Sequence, residues 1–90
     1  MGLRSPPDGR RTRRWYVYLL RCGDGTLYAG ATTDLEARLA AHRAGKGARY
    51  TRGRGPLLLV HHEAHPDRPA ALRRERELKR LRRAQKLALL

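Results

Sequence analysis

Two short runs of apolar residues separated by a turn sequence constrain the fold of this chain more than any other feature. The first run, 15–21, is aromatic, branched or leucine up to its final arginine, and the second, 27–30, reads Leu-Tyr-Ala-Gly. Between them lies Cys22-Gly23-Asp24-Gly25-Thr26, whose Asp-Gly step is typical of a tight hairpin turn. The pattern predicts two antiparallel strands joined by this turn.

The first of these strands has two chemically different faces. Alternate residues of a strand point to opposite sides of a sheet. We therefore expect a mainly aliphatic face in the core and a tyrosine face that is a candidate site. The aliphatic face carries Trp15, Val17 and Leu19, and the tyrosine face carries Tyr16, Tyr18 and Leu20.

A short helix is predicted directly after the hairpin. Thr33 followed by Glu36 has the spacing of a capping box, and Asp34 adds negative charge to the helix N-terminus. The helix should run from about Asp34 to Ala44 and stop at Gly45. Leu35 and Leu39 would anchor it on the sheet, with Asp34, Arg38 and His42 in a neighbouring stripe.

The last third of the chain predicts a strand and a long helix. The apolar run 57–60 leads into His61-His62-Glu63 and predicts a third strand, and Pro69 suits the first turn of a helix from about Ala70 to near Leu87. Glu75 lies three residues from both Leu72 and Leu78, on or beside the expected buried stripe of Ala71, Leu72, Leu78 and Leu81. Exposed positions are expected for Arg73, Arg76, Arg80 and Arg83.

Composition favours one small domain in a reducing cytoplasm. Ninety residues with 40% hydrophobic content suit a single core, expected over residues 15–90. The single cysteine, Cys22, excludes an internal disulfide. No segment has the apolar length of a signal peptide or a membrane span. Residues 1–14 are rich in proline and arginine and are expected to be a disordered basic segment.

The net charge of +13 points to a polyanionic partner. A structural RNA-associated protein would explain this charge as well as an enzyme would. The glycine-rich segment 45–56 carries four of the positive charges and an aromatic ring. It suits a surface that follows a phosphate backbone, with Tyr50 available to stack on a base, although a flexible basic loop without specific contacts stays an equal alternative. The candidate nucleic-acid contacts are Lys46, Arg49, Tyr50, Arg52 and Arg54.

Five polar residues in a fixed order resemble the catalytic set of the GIY-YIG nuclease superfamily, especially its small stand-alone bacterial members. Tyr16-Val17-Tyr18 matches the first signature triplet in its final tyrosine, and Tyr28-Ala29-Gly30 matches the second in its tyrosine and glycine. Arg38 and His42 match the helix positions, and Glu75 matches the metal-binding glutamate. Tyr16 stands where the signature has glycine, and the chain lacks the C-terminal active-site asparagine of some restriction-type relatives.

The resemblance implies an α/β domain of β-β-α-β-α order, with a three-stranded antiparallel sheet flanked by helices. It also implies an endonuclease that uses Mg²⁺ or Mn²⁺ to hydrolyse phosphodiester bonds, in DNA rather than RNA, with a structure-selective role in repair or recombination. Specificity would be low or supplied by a protein partner. The alternative is a non-catalytic nucleic-acid-binding module with a vestigial site.

The resemblance assigns a role to each of the five residues. Tyr18 would be the general base, assisted by His42, and Tyr28 would orient the nucleophile or the phosphate. Arg38 would stabilise charge on the phosphate, and Glu75 would bind the metal. Without the resemblance, each residue has an ordinary structural interpretation. Tyrosines in strands usually pack in the core, and His42 would be a surface residue. Arg38 would form an ion pair with Asp34, and Glu75 would form one with Lys79.

Two further candidates are weaker. The segment His61-His62-Glu63-Ala64-His65 contains metal-binding residue types, but it lacks the helical His-Glu-x-x-His arrangement of zinc proteases. Cys22 has no acid or base partner in its turn, which argues against a nucleophilic thiol.

Overall fold

The computed structural model of the protein describes residues 14–90. The expected disordered segment 1–14 lies, apart from Arg14, outside the described residues. Three strands and three helices follow in the order β1 (Trp15–Arg21), β2 (Leu27–Thr32), α1 (Leu35–Arg43), β3 (Leu58–His65), α2 (Arg68–Arg80) and α3 (Arg83–Leu87). None of the described helices is long and apolar enough to span a membrane.

The sheet is antiparallel and has the strand order β2-β1-β3, so the first strand is central. The Asp-Gly turn joins β1 to β2, and Gly25 adopts the positive φ of 87° that its position requires. The third strand extends through the histidine-rich segment to His65. The predicted small α/β fold with a three-stranded antiparallel sheet is confirmed.

Both faces of β1 are buried. On the aliphatic face, Val17 and Leu19 pack with Ala71 and Leu78 of α2, and all four side chains are fully buried. On the tyrosine face, Tyr18 and Leu20 pack with Leu35 of α1. The tyrosine face is therefore not an open surface, because α1 covers it as α2 covers the other face.

The first helix begins one residue later than the predicted capping box. Asp34, not Thr33, is the N-cap residue: its backbone is extended, and its side chain accepts a hydrogen bond from the Ala37 amide at 3.1 Å. The Asp34 amide in turn donates to the hydroxyl of Thr32 at the end of β2, at 3.1 Å. Gly45 ends the helix with a φ of 79°, as predicted.

The predicted single C-terminal helix is wrong, because the structure has two helices with a break between them. Leu81 and Arg82 are extended, with ψ angles of 146° and 162°. The break lets Leu81 and Leu89 both pack against the core cluster on the aliphatic face. It also brings the guanidinium of Arg83 to the carbonyl of Gly25 in the hairpin turn, to which it donates a hydrogen bond.

Candidate active site

A buried hydrogen bond joins the central strand to the first helix. The hydroxyl of Tyr18 lies 2.8 Å from Nε2 of His42, and each residue is only 1% exposed. His42 comes seven residues after Leu35, so both project from the same side of α1 toward the tyrosine face of the sheet. The alternative expectation, that His42 is a surface residue, is wrong because its side chain is buried.

Gly30 makes room for the Tyr18 hydroxyl. The two residues are paired across the β1–β2 ladder. A Cβ atom on Gly30 would lie 2.3 Å from the Tyr18 hydroxyl oxygen, which is far inside van der Waals contact. The glycine of the second signature triplet is therefore required by packing against the tyrosine of the first.

Tyr28 lies beside this buried pair and is only partly buried. Its ring centroid is 5.4 Å from that of His42 and 6.5 Å from that of Tyr18. The ring of Tyr50, from the glycine-rich loop, stacks on Tyr28 at 5.8 Å with an angle of 23° between the planes. Tyr28 thus connects the buried pair to the protein surface.

Arg38 points its guanidinium group toward the two tyrosines. Among the described residues its Nε atom is buried and has no hydrogen-bond acceptor. The alternative Asp34 pair is not formed in the part of the chain that the structure describes, since the Asp34 carboxylate caps the helix instead. Hydrogen bonding to Tyr18 is the main effect that raises the pKa of Arg38 above its ordinary value, so the group keeps its positive charge. A buried, unsatisfied donor on a fixed cation suits an anionic oxygen.

Burial keeps both members of this pair neutral at neutral pH. Burial raises the pKa of Tyr18 above its ordinary value of 10.0, while the nearby Arg38 acts in the opposite direction. Burial, and then repulsion from Arg38, lowers the pKa of His42 below its ordinary value of 6.5. A neutral imidazole can accept a proton, so His42 is suited to receive the phenolic proton of Tyr18.

Glu75 reaches the same region from α2, and it forms the ion pair expected from helix spacing alone. Its Oε2 atom lies 3.1 Å from Nζ of Lys79, four residues along α2. That ammonium group is also 5.9 Å from the centroid of the Tyr28 ring. The negative charge of Glu75 also contributes to the raised pKa of Tyr18.

These residues offer one hard oxygen ligand for a metal rather than a complete cage. No cluster of three or more His, Cys, Asp or Glu side chains suited to a metal occurs among residues 14–90. Mg²⁺ is commonly bound by one or two carboxylates, with substrate phosphates and waters completing its shell. Glu75 fits such a site if its carboxylate leaves the ion pair with Lys79 and binds the metal ion instead.

Comparison with known proteins identifies the family of this chain. A family model described as the GIY-YIG catalytic domain matches residues 14–88. The chain belongs to the GIY-YIG family. It is 52% identical over 84 residues to a UPF0213 protein of Nitratidesulfovibrio vulgaris, covering 93% of this chain and 76% of the relative. It is 55% identical over 73 residues to a UPF0213 protein of Streptococcus sanguinis, covering 81% and 84%.

Two solved structures share the GIY-YIG fold of this chain. The solution NMR structure of a UPF0213 protein from Bacillus halodurans is 50% identical, with a TM-score of 0.55, covering 84% of this chain and 81% of that chain. The solution NMR structure of a protein from E. faecalis is 37% identical, with a TM-score of 0.58 and coverages of 84% and 82%.

The glycine-rich loop of this GIY-YIG domain combines exposed charges with an anchored one. Lys46, Arg49 and Arg52 are exposed. Arg54 is held in place: its Nε donates to the carbonyl of Tyr50 at 2.6 Å, and one terminal nitrogen lies 2.6 Å from a carboxylate oxygen of Asp24 in the hairpin turn. Hydrogen bonds from Thr26, and then Arg54, lower the pKa of that aspartate to about 2.

Tyr50 is 41% exposed, but its ring is already in contact with two groups. The guanidinium carbon of Arg54 lies 4.4 Å from the ring centroid, and Tyr28 stacks on the same ring. A nucleic-acid base that stacked on Tyr50 would have to displace one of them. Base stacking at Tyr50 therefore stays a prediction.

The histidine-rich segment forms an ion cluster instead of a metal site. Glu63 accepts two hydrogen bonds from Arg74 of α2, at 2.9 and 3.0 Å, and lies 2.8 Å from His61 and 3.2 Å from His65. Arg74 is the main cause that lowers the pKa of Glu63 to about 2. The cluster therefore links β3 to α2.

Cys22 is a buried free cysteine.

Sequence reasoning missed Thr51, whose hydroxyl lies 2.8 Å from Nδ1 of His42. It also missed Gly47, where a Cβ atom would lie 2.3 Å from the same nitrogen. Neither residue matches a catalytic motif, and a basic loop gives no signal that it folds back onto a helix.

Proposed function

We propose that this GIY-YIG protein is a divalent-metal-dependent endonuclease that hydrolyses phosphodiester bonds in DNA. The observation that supports this most strongly is the meeting of Tyr18, Tyr28, Arg38 and His42 around one phenolic hydroxyl. A cation and a neutral proton acceptor on either side of a weakly acidic hydroxyl is an arrangement with catalytic use. A core built only for stability would gain nothing from burying Arg38 Nε without an acceptor.

Arg38 would bind and neutralise the phosphate. Hydrolysis of a phosphodiester builds negative charge on the non-bridging oxygens and on the leaving oxygen. The guanidinium presents planar donors that match two phosphate oxygens at once. Tyr28, which is partly exposed beside it, would orient the phosphate or the attacking water.

Tyr18 and His42 would act together in removing the proton from water. The raised pKa of Tyr18 makes a free phenolate rare at neutral pH. The tyrosine can still act as a base if its own proton moves to His42 Nε2, 2.8 Å away, as it takes a proton from water. The lowered pKa of His42 keeps its ring neutral at neutral pH, so one of its two nitrogens can accept a proton.

Glu75 would hold the Mg²⁺ or Mn²⁺ ion. Such an ion supplies Lewis-acid stabilisation of the phosphate oxygens when it is bound. Lys79, whose ammonium group pairs with the Glu75 carboxylate, lies 5.9 Å from the centroid of the Tyr28 ring. Glu75 is partly buried in this pair, and pairs at this helix spacing contribute only about 0.3–0.5 kcal/mol when they are exposed.

The DNA would reach the site along the glycine-rich loop, through Lys46, Arg49 and Arg52, with Tyr50 and Arg54 forming the wall next to Tyr28. We expect structure-selective cutting in cytoplasmic repair or recombination, with low sequence preference or specificity supplied by a protein partner. We propose DNA rather than RNA as the substrate because of the family to which the chain belongs.

A second candidate is a nucleic-acid-binding module with a vestigial site. Two observations favour it: Tyr18 is only 1% exposed, and Glu75 is engaged by Lys79. The chain also has no asparagine. In this case salt would weaken binding steeply, and no metal-dependent cleavage would occur.

The deciding experiment incubates the purified protein with branched, nicked and single-stranded DNA, with Mg²⁺, Mn²⁺ or EDTA. We expect cleavage that needs the metal and falls at least about 100-fold in Arg38→Ala and Glu75→Ala, since single charge-stabilising groups are worth about that much. Glu77→Gln is the matched control, because this carboxylate lies on the same helix but pairs with Arg74. Unchanged cleavage in Arg38→Ala and Glu75→Ala would point to a contaminating nuclease, and binding without cleavage would favour the second candidate.

A further inference from the structure

The loop after α1 places Thr51 against the ring of His42. The Thr51 hydroxyl oxygen lies 2.8 Å from Nδ1 of His42, and Thr51 is only 2% exposed. The same hydroxyl lies 3.1 Å from the carbonyl oxygen of Ala48, in good geometry for donating to it. On the other side of the ring, Nε2 faces Tyr18. Both ring nitrogens therefore have a single buried polar partner in the described part of the chain.

The direction of this chain of hydrogen bonds follows from counting protons. A threonine hydroxyl has one proton, and a carbonyl oxygen can only accept. If the Thr51 proton goes to Ala48, the hydroxyl oxygen must accept a proton from His42 Nδ1. In a neutral imidazole the other nitrogen, Nε2, is then a pure acceptor, and it accepts the proton of Tyr18.

The opposite direction leaves one proton without a partner. If Thr51 donated to Nδ1, then Nε2 would carry the proton and donate to Tyr18. The guanidinium of Arg38 also lies beside Tyr18, but it only donates. Tyr28 and Glu75 act on Tyr18 through their charges, without a hydrogen bond to its hydroxyl among the described residues. The phenolic proton would then have no acceptor among the described residues, which is unfavourable for a buried donor.

We propose that Thr51 is a positioning residue that fixes His42 in the Nδ1–H tautomer and so keeps Nε2 available as the proton acceptor for Tyr18. The backbone of Gly47 also packs closely against the imidazole ring, because a Cβ atom on this residue would overlap with Nδ1. The tautomer is a property of the folded protein. Its use in catalysis rests on the proposed nuclease function.

In the proposed reaction the protons balance. The attacking water loses a proton to the oxygen of Tyr18 as its oxygen bonds to phosphorus, and the phenolic proton moves to Nε2. The products of this step are a neutral tyrosine and an imidazolium, whose Nδ1–H still donates to Thr51. A ring in the other tautomer could not take the second proton at Nε2, because that nitrogen would already carry one.

The test is nitrogen NMR of the uniformly ¹⁵N-labelled full chain above neutral pH, where long-range correlations to the ring protons distinguish a protonated from an unprotonated ring nitrogen. The signals of His42 are assigned by their loss in His42→Gln. We expect Nδ1 protonated and Nε2 unprotonated in the wild type. We expect Thr51→Ser, which keeps the hydroxyl, to preserve this state, and Thr51→Val, which replaces it with a methyl group, to shift the ring toward Nε2–H.

The choice of valine matters because a cavity of about 390 Å³ borders both His42 and Thr51. Removing the side chain with alanine would let water enter and replace the hydroxyl, whereas valine keeps its volume. An Nε2–H tautomer in the wild type would overturn the proposal, as would an unchanged Nδ1–H tautomer in a folded Thr51→Val protein. If Thr51→Val does not fold, the wild-type and Thr51→Ser spectra still test the tautomer, and an Nε2–H ring in either protein would overturn the proposal.

Cleavage assays of the same variants separate this proposal from the proposed function. If the protein is a nuclease, turnover should fall at least about 10-fold in Thr51→Val and recover in Thr51→Ser, because proton transfer contributes about 10²–10⁴-fold to such reactions. Absence of cleavage in the wild type, with the expected tautomer present, would reject the nuclease and leave the positioning role intact. Full turnover in Thr51→Val with an altered tautomer would reject the catalytic use of Thr51 alone.

Discussion

The hydroxyl of Tyr18 lies 2.8 Å from Nε2 of His42, and each of these two residues is only 1% exposed. This contact joins the central strand to the last turn of α1 and gives the proposed site its proton acceptor. Arg38 lies on the same helix one turn earlier, so a single rigid element carries both the cation and the acceptor. Movement of α1 would therefore affect phosphate binding and proton transfer together.

Stability should fall as the pH decreases through the range where the unfolded chain binds a proton at His42. Burial lowers the pKa of His42 in the folded state below its ordinary value of 6.5. Below about 6.5 the unfolded chain takes up this proton while the folded chain does not, so the unfolded state is favoured, by at most about 1.4 kcal/mol per pH unit. Guanidinium unfolding at neutral and mildly acidic pH should show a smaller loss in His42→Gln than in the wild type. An equal loss in both proteins would contradict the prediction.

Replacing Gly30 with alanine should disturb the site and the core at once. The new Cβ atom would lie 2.3 Å from the Tyr18 hydroxyl, and the buried tyrosine has little space to move. Overpacking of this kind costs about 1–3 kcal/mol. Thermal unfolding and the tyrosine–histidine contacts in NMR spectra would measure the effect. Gly55→Ala is the control, since a Cβ atom there meets no atom within 4 Å. Similar losses in the two variants would show that the contact with Tyr18 is not the cause.

Lys79 should compete with the metal for Glu75. The two side chains form an ion pair of 3.1 Å, and such pairs contribute about 0.3–0.5 kcal/mol. We expect Lys79→Met to tighten Mn²⁺ binding about twofold, a change that corresponds to this energy, and Glu75→Gln to abolish it. Electron paramagnetic resonance titration of Mn²⁺, with a non-hydrolysable duplex present, measures both. Glu77→Gln should bind as the wild type does, and retention of Mn²⁺ by Glu75→Gln would place the metal elsewhere.

The exposed charges of the glycine-rich loop should set the salt dependence of DNA binding. Changing Lys46, Arg49 or Arg52 to alanine should in each case reduce the slope of log K against log salt by about 0.9, because the variant neutralises one phosphate fewer. Fluorescence anisotropy over a range of salt concentrations measures this slope. The control is Arg73→Ala, which removes one charge from the exposed face of α2. An equal reduction for each charge removed from either surface would mean that net charge, rather than the loop, governs binding.

Several features of the fold could be read from local sequence because local interactions decide them. The Asp-Gly turn fixed the hairpin, and the stop at Gly45 followed from the left-handed backbone that glycine adopts without strain. The choice between Thr33 and Asp34 as N-cap could not be read in this way. Both residue types cap helices well, and the direction in which the chain leaves β2, with Thr32 bonded to the Asp34 amide, decided between them.

The break between α2 and α3 likewise has a tertiary cause. The residues around Leu81 have good helix propensity, and nothing local ends the helix there. The break is favoured because Leu81 and Leu89 both reach the core cluster and Arg83 reaches the hairpin turn. Partial burial of these two leucines against the core offsets the cost of interrupting the helix.

The sequence by itself determined the order and spacing of the polar residues, which is enough to identify the GIY-YIG family and to predict a three-stranded sheet with Arg38 and His42 on one helix. Only the tertiary structure decided the environment of these residues. Burial depends on which elements pack together, and here α1 covers the tyrosine face while the basic loop folds beneath His42. That packing shifts the pKa values of Tyr18 and His42, and it makes Thr51, a residue without a motif, the hydrogen-bond partner of the proposed proton acceptor.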